Sequence, residues 1–271
     1  MKTTKMFLGQ WNSKKLSEHW DKVAKDLDDF SKAPSTAIYR QSEIDLIKSA
    51  FGNIKGKRFL KMDLWNEVNN TRILSWIARS GAITYGTDIS GYLVEKSKEN
   101  FNNEHLKAKF VKCDMREMNF PDNYFDFLYT MGTIEHVYDF EAAIREIYRV
   151  VKPGGKAIVG IPNRLDPFLR PVMVWFMDLF GWYAYSPEHS FTRRELNLML
   201  RVAGFKIVGD SGVLFMPGWL RMGDLFLFKY LRPLNFLSVP FLKIFEYFER
   251  NYKWARRNSY LIAAIVEKPK F

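Results

Sequence analysis

A single cysteine, Cys113, in 271 residues excludes an internal disulfide and any cysteine-built metal site. That usage fits a reducing cytosol, and Cys113 itself reads as a small core residue at a strand end. Long apolar runs are missing as well. No window reaches the roughly 18 to 20 uninterrupted apolar residues of a spanning helix, and the nearest, residues 172–185, is short and contains Asp178. The N-terminal stretch MKTTKMFLGQWNSKK lacks a continuous apolar core, so no secretory signal is expected. No HxxxH, CxxC or comparable ligand set occurs, and no metal is expected. Negative charge is in deficit: 41 Lys and Arg against 30 Asp and Glu leave a net charge of +11. The excess suits an anionic partner, whether nucleic acid, a membrane surface or a phosphorylated or carboxylated substrate, and does not choose among them.

With 47% apolar and 26% charged residues, the chain is long enough for one well-buried α/β domain with an appended lid. Its centre is residues 124–163, which read as one strand, helix and strand unit. Phe125, Phe127, Leu128 and Tyr129 form one apolar run and residues 156–161 another, both suited to buried parallel strands. Between them Phe140, Ala143, Ile144, Ile147, Tyr148 and Val151 recur at helical spacing, with Asp139 as N-cap and Pro153-Gly154-Gly155 as the stop. This is a right-handed crossover in sequence form. Ligands in such sheets bind beyond the carboxyl ends of the strands, which directs attention to Thr130, Met131, Gly132 and Thr133.

Upstream, Trp20, Val23, Ala24, Leu27 and Phe30 share one face of a charged helix expected over 16–30, packed on the domain from outside. Pro34 and Ser35 interrupt it, and a second helix is expected over 42–51. Strands over 58–64, 83–87 and 109–112, the last two closed by Asp88 and Asp114, alternate with helices over 69–79 and 92–101. That alternation means a doubly wound parallel sheet. Downstream, Thr192 and Glu195 open a helix as a capping box, and strands are expected from 205 and over 259–267. The expected division is N-terminal helices at 1–57, a core at 58–163, and aromatic helical insertions at 164–189 and 213–257. Pro217, Pro233 and Pro240 divide the second insertion into short helices.

Five segments carry a family likeness: YGTDIS (85–90), KFVKCDM (109–115), FPDNYFDFLYTMGTIEHV (120–137), REIYRVVKPGGKAIVGIPN (145–163) and SFTRRELNLMLRVAGF (190–205). In this order and spacing the chain resembles the class I S-adenosylmethionine-dependent methyltransferases, in the type 11, small-molecule and quinone-type group. The resemblance implies a mostly parallel, seven-stranded Rossmann-like sheet with helices on both faces, and S-adenosyl-L-methionine as cofactor. It assigns Asp88 to the ribose hydroxyls, Ile89 to the adenine face, Asp114 to the adenine amino group and the Met115 backbone to a ring nitrogen, with Met131 and Gly132 at the next strand end. Each acid also reads as a helix N-cap.

One departure stands out. Where the family carries a glycine-rich loop after the first strand, residues 61–71 contain no glycine. Asn66, Asn69 and Asn70 tolerate a left-handed backbone and are expected to replace glycine in part, while Asp63 and Glu67 hold the cofactor's ammonium group. A degenerate loop, leaving a binding or scaffolding protein on the same fold, is the other reading. His136 and His189 are the candidate general bases, each with a packed or surface role as the alternative. RNA methylation has only the net charge behind it, since no RNA-binding module accompanies the fold, and the loop of base-amino methyltransferases is absent. The insertions are dense in aromatics, among them Phe168, Trp175, Phe176, Trp182, Trp219 and Phe226, with Arg221, Lys229, Arg232, Lys243, Lys253, Arg256 and Arg257 interleaved. One reading is that many of these aromatics form the insertions' own core. The other is that, with the basic residues between them, they suit a small-molecule or lipid-linked acceptor and contact with an anionic membrane by a cytoplasmic protein.

Overall fold

The computed structural model describes residues 12–26, 28–137, 139–181, 183, 185 and 188–270. Residues 1–11, Leu27 and Trp182, which enter the expectations above, lie outside the described residues. Strands β1 (Arg58–Met62), β2 (Ile83–Asp88), β3 (Lys109–Lys112), β4 (Phe125–Met131), β5 (Val151–Pro162), β6 (Lys206–Val213) and β7 (Leu261–Glu267) form one sheet ordered β3-β2-β1-β4-β5-β7-β6. Only β7 is antiparallel, to β5 and β6 alike, so the sheet is mostly parallel as expected. Strand order reverses between β1 and β4, and the crevice beyond their carboxyl ends is where such sheets take ligands. Phe59, Leu60, Leu128, Ala157 and Val159 are wholly buried, which is why these runs are apolar without alternation. Gly160 has a local reason: a Cβ there would meet the Met131 sulfur at 2.0 Å, so glycine leaves Met131 room across the sheet.

The helices are α1 (Ser13–Lys25), α2 (Pro34–Phe51), α3 (Trp65–Asn69), α4 (Ile73–Arg79), α5 (Gly91–Asn103), α6 (Phe140–Val150), α7 (Arg170–Leu179), α8 (Arg193–Val202), α9 (Gly218–Tyr230), α10 (Val239–Asn251) and α11 (Lys253–Arg257). The caps at Asp139 and Ser90 form as local chemistry requires, and Thr192 with Glu195 makes the full capping box. Three expectations are corrected. Pro34 does not interrupt a helix but starts α2, because its fixed φ suits a first turn where its missing N–H would have no partner anyway. The helix expected over 69–79 begins only at Ile73, as α4, after Arg72 at φ 52°, and a separate short helix, α3, precedes it. Pro153-Gly154-Gly155 does not stop α6, which ends at Val150; all three residues belong to β5.

Helices cover both faces. Ile144 and Ile147 of α6 and Leu196 and Leu200 of α8 pack on one side with Leu128 and Val159. On the other, Ile47 of α2, Leu74 of α4, Leu93 of α5 and Leu242 of α10 pack with Phe59 and Ile158. The segment between β6 and β7 is tied down by two buried acids. Asp224 of α9 accepts from the Ser35 amide at 2.9 Å, Asn235 Nδ2 at 2.9 Å and Ser238 Oγ at 2.6 Å. Glu249 of α10 accepts from the amides of Leu214 and Phe215 at 2.9 and 3.0 Å, and burial pushes its carboxyl up to about 7. Among the described residues no helix is long and apolar enough to cross a membrane.

Candidate active site

A cavity of about 380 Å³ opens beyond the carboxyl ends of β1, β2 and β4, a volume in the range of small-ligand pockets. Asp88, ending β2, lines it. The Leu64 amide donates to one Asp88 oxygen at 2.7 Å and the Ser90 amide to the other at 2.8 Å, so the carboxylate is held in one orientation with a lone pair left on each oxygen. Burial, and then the neighbouring Asp63 charge, push Asp88 up to about 7 against the pull of those two amides.

Asp114, Ile89 and Met115 line the same cavity. Asp114 accepts from Ser13 Oγ at 2.7 Å and from Arg116 Nη2 at 2.6 Å. Burial alone would raise its pKa; the Arg116 and Ser13 hydrogen bonds outweigh burial and hold it below the carboxylate range. Ser13 belongs to α1, whose Leu16 and Trp20 also line the cavity, so α1 is part of the site wall rather than an outside layer. Trp20 meets Trp65 and His136 edge-on, with ring centroids 5.9 and 5.1 Å away.

The glycine-free stretch folds differently from the expectation. Asn66 and Asn69 lie within α3 and Asn70 has φ −135°; the left-handed residues are Asp63, at φ 70°, and Arg72. Asp63 sustains that backbone through its own side chain, which accepts from the Trp65 amide at 2.8 Å. Asp63, Asn66, Asn69 and Asn70 line the cavity, whereas Glu67 does not. Glu67 turns into the fold, accepting from the Leu74 amide at 3.0 Å and lying 3.6 Å from the buried Lys61 ammonium. It is therefore not open to a ligand's ammonium group.

Beyond β4, Met131, Gly132, Glu135 and His136 line the cavity. His136 Nε2 lies 3.8 Å from Glu135 Oε1. Glu135 is buried with its Oε2 unpartnered, and burial, then the Glu188 charge, raise its pKa well above the carboxylate range. His189 does not line the cavity: it is exposed, its amide donates to the Glu135 carbonyl at 3.1 Å, and its ring lies against Phe191. The neighbouring Glu188 faces inward instead and accepts from both terminal guanidinium nitrogens of Arg170, at 2.6 and 2.9 Å, together with the Tyr183 hydroxyl at 2.6 Å. Arg170 also stacks on Tyr260 at 4.5 Å. Arg221, expected on a basic surface, lines the cavity as well. No group of three or more His, Cys, Asp or Glu among the described residues is arranged to hold a metal ion.

Residues 68–159 match a family described as a methyltransferase domain. The demethylmenaquinone methyltransferase of Geobacillus sp. (strain WCH70) is 26% identical over 62% of this chain and 79% of that protein. The ubiquinone/menaquinone biosynthesis C-methyltransferase UbiE of Xanthomonas campestris pv. campestris is 28% identical over 64% of this chain and 66% of its own length. The chain belongs to the class I S-adenosylmethionine-dependent methyltransferases. The crystal structure of the [4+2]-cyclase SpnF shares the fold, with a TM-score of 0.60 and 19% identity over 99% of this chain and 97% of that one. The cofactor of this methyltransferase is S-adenosylmethionine. The cavity suits it: a carboxylate with free lone pairs ends β2, apolar Ile89 and Met115 stand beside it, and Asp63 offers a second negative charge toward the β1 end. Trp20, Glu135, Arg170, Glu188 and Arg221 escaped the sequence reading. The signal for two of them was helical: Arg170, Met173 and Met177 form one stripe, and Gly218, Arg221, Met222 and Leu225 another, each facing the cavity.

Proposed function

We propose that this methyltransferase acts on an apolar, lipid-like acceptor, a quinone-type ring on an isoprenoid tail, taken from the surface of an anionic membrane. The observation that carries the reading is the two-sidedness of α7 and α9. Met173, Met177, Met222 and Leu225 line the cavity, while Trp175, Phe176, Trp219 and Phe226 on the same helices are exposed. An apolar molecule could pass between a bilayer and the cavity along these helices without crossing water. The names of the relatives, which include demethylmenaquinone and ubiquinone/menaquinone methyltransferases, point to the same acceptor chemistry. Basic residues nearby are partly neutralised: Lys229 pairs with Asp28 at 2.7 Å, Lys243 with Glu246 at 2.6 Å and Arg257 with Asp210 at 3.5 Å. Apolar insertion therefore contributes more than charge to the membrane contact. In this reading residues 164–189 and 213–257 act as a lid on the 58–163 core of one domain.

The cofactor supplies an electrophilic sulfonium methyl, and positioning an acceptor in line with it is most of the catalytic task. Asp88 accepts from the ribose hydroxyls, Ile89 and Met115 pack on the adenine, Asp114 accepts from its amino group in place of the Ser13 hydroxyl that now donates to it, and Asp63 faces the ammonium group. Met131 and Gly132 form the wall between the cofactor and acceptor sides. His136 takes the acceptor's proton, with Trp20 stacked edge-on to fix its ring.

Incubated with S-adenosylmethionine and anionic vesicles carrying an isoprenoid hydroquinone, the protein is expected to float with the vesicles and to add one methyl group, read by mass spectrometry. Trp175→Glu combined with Phe226→Glu lowers flotation and turnover while cofactor affinity stays at the parent level. Protein that remains soluble with such vesicles at low salt contradicts the membrane contact. Equal turnover on a tail-less, water-soluble ring contradicts the apolar acceptor.

A further inference from the structure

Arg221 presents a positive charge to the cavity that no carboxylate among the described residues answers with an ion pair. Its hydrogen bonds go to neutral oxygens and are long, Nη1 to Ser35 Oγ at 3.4 Å and Nη2 to Asn70 Oδ1 at 3.2 Å. The guanidinium also lies over the Tyr39 ring at 5.3 Å. Asp224, three residues along α9, is already engaged by Ser35, Asn235 and Ser238. A desolvated cation with only neutral partners is costly, and a guanidinium is shaped to take a carboxylate on two parallel hydrogen bonds.

The position of this charge is informative. Asn70, which Arg221 touches, and Asp63 both lie in the 61–71 stretch that stands where the family carries a glycine-rich loop. Tyr39 is close enough to both charges that each bears on its hydroxyl, after the larger effects of burial and Glu43. Asp63, which has the buried Lys61 ammonium 3.5 Å behind it, and Arg221 therefore give the cavity wall around α3 an anionic and a cationic group, the complement of a zwitterionic α-amino acid.

We propose that Arg221 binds the carboxylate of the cofactor's amino-acid end while Asp63 takes its ammonium group. The segment between β6 and β7 then supplies what backbone amides of a glycine-rich loop would otherwise supply, which is how a loop without glycine remains compatible with cofactor binding. The proposal rests on the cofactor lying with its ribose at Asp88.

Calorimetric titration with two ligands tests it: S-adenosylhomocysteine, which has the amino-acid end, and 5′-methylthioadenosine, which lacks it. Arg221→Met is expected to weaken S-adenosylhomocysteine by about 10- to 100-fold, the loss of a charge-assisted pair, and to leave 5′-methylthioadenosine unchanged. Arg221→Lys, which keeps the charge without the fork, falls between parent and Arg221→Met. If the methionine variant does not fold, the lysine variant carries the test and must weaken the first ligand but not the second. Unchanged affinity for S-adenosylhomocysteine, as when the guanidinium serves a carboxylate on the acceptor, overturns the proposal. So does equal weakening of both ligands. A parent protein that binds neither ligand overturns the cofactor placement beneath it.

Discussion

Arg170→Met is expected to lower the free energy of unfolding by about 3–5 kcal/mol, because it strands the Glu188 carboxylate in a buried site without its cation. Arg170 and Glu188 side chains are only 3% and 7% exposed, and their two nitrogen–oxygen contacts form a fork with the Tyr183 hydroxyl completing the carboxylate's partners. Burial by itself would raise the Glu188 pKa; the Arg170 hydrogen bonds and charge hold it low, so the acid stays ionised where an isolated one would not. The double variant Arg170→Met with Glu188→Gln removes both charges and is expected to recover most of the loss. Equilibrium urea unfolding of the parent, both single variants and the double variant gives the coupling directly. Near-additive effects would mean that the pair is not what fastens α7 to the rest of the site.

Asp88→Ala is expected to weaken S-adenosylmethionine by about 30- to 150-fold, roughly 2–3 kcal/mol of charge-assisted hydrogen bonding to the ribose. The pH dependence follows from the raised carboxyl, at about 7. Hydroxyl donors favour the ionised acceptor, so affinity rises as pH climbs from about 6 to about 8, and Asp88→Asn flattens that rise. Stability runs the other way. A carboxyl that holds its proton more tightly folded than unfolded contributes stability that declines as pH rises from about 4 to about 7. Titration calorimetry across this range, with thermal melts of the ligand-free protein alongside, reads both trends. Parent-like affinity in Asp88→Ala would remove Asp88 from the ribose.

The sheet and the acids that end its strands were legible because their signals are local. Apolar runs without alternation mark the buried strands β4 and β5, and Asp88 and Asp114 stand at the end of β2 and just past the end of β3. What the sequence concealed depends on contacts between distant segments. Glu67 and Asp63 look alike as loop acids, and the Lys61 ammonium lies 3.6 and 3.5 Å from them, yet the Leu74 amide at the start of α4 holds Glu67 inside the fold while Asp63 lines the cavity. His189 drew attention as a candidate base, while the side chain that faces the cavity is Glu188 beside it, recognisable only once Arg170 is in place across the gap. The amphipathic pattern of α1 gave the buried face but not what that face meets, which includes the cavity itself. Arg221 was counted with the surface cations because the segment around it is basic, although its stripe with Gly218 and Leu225 already set it apart.

In the proposed arrangement a crevice without a glycine-rich loop holds S-adenosylmethionine between Asp88 and the α3 wall. A crystal structure of the protein with S-adenosylhomocysteine tests it most directly. The ribose hydroxyls are expected on the Asp88 carboxylate, the adenine beside Ile89 and Met115, and the amino-acid end running along α3 with Asp63 and Arg221 at its two charges. A ligand bound elsewhere, with Trp65 and the rest of α3 filling the space where its amino-acid end should lie, would contradict it.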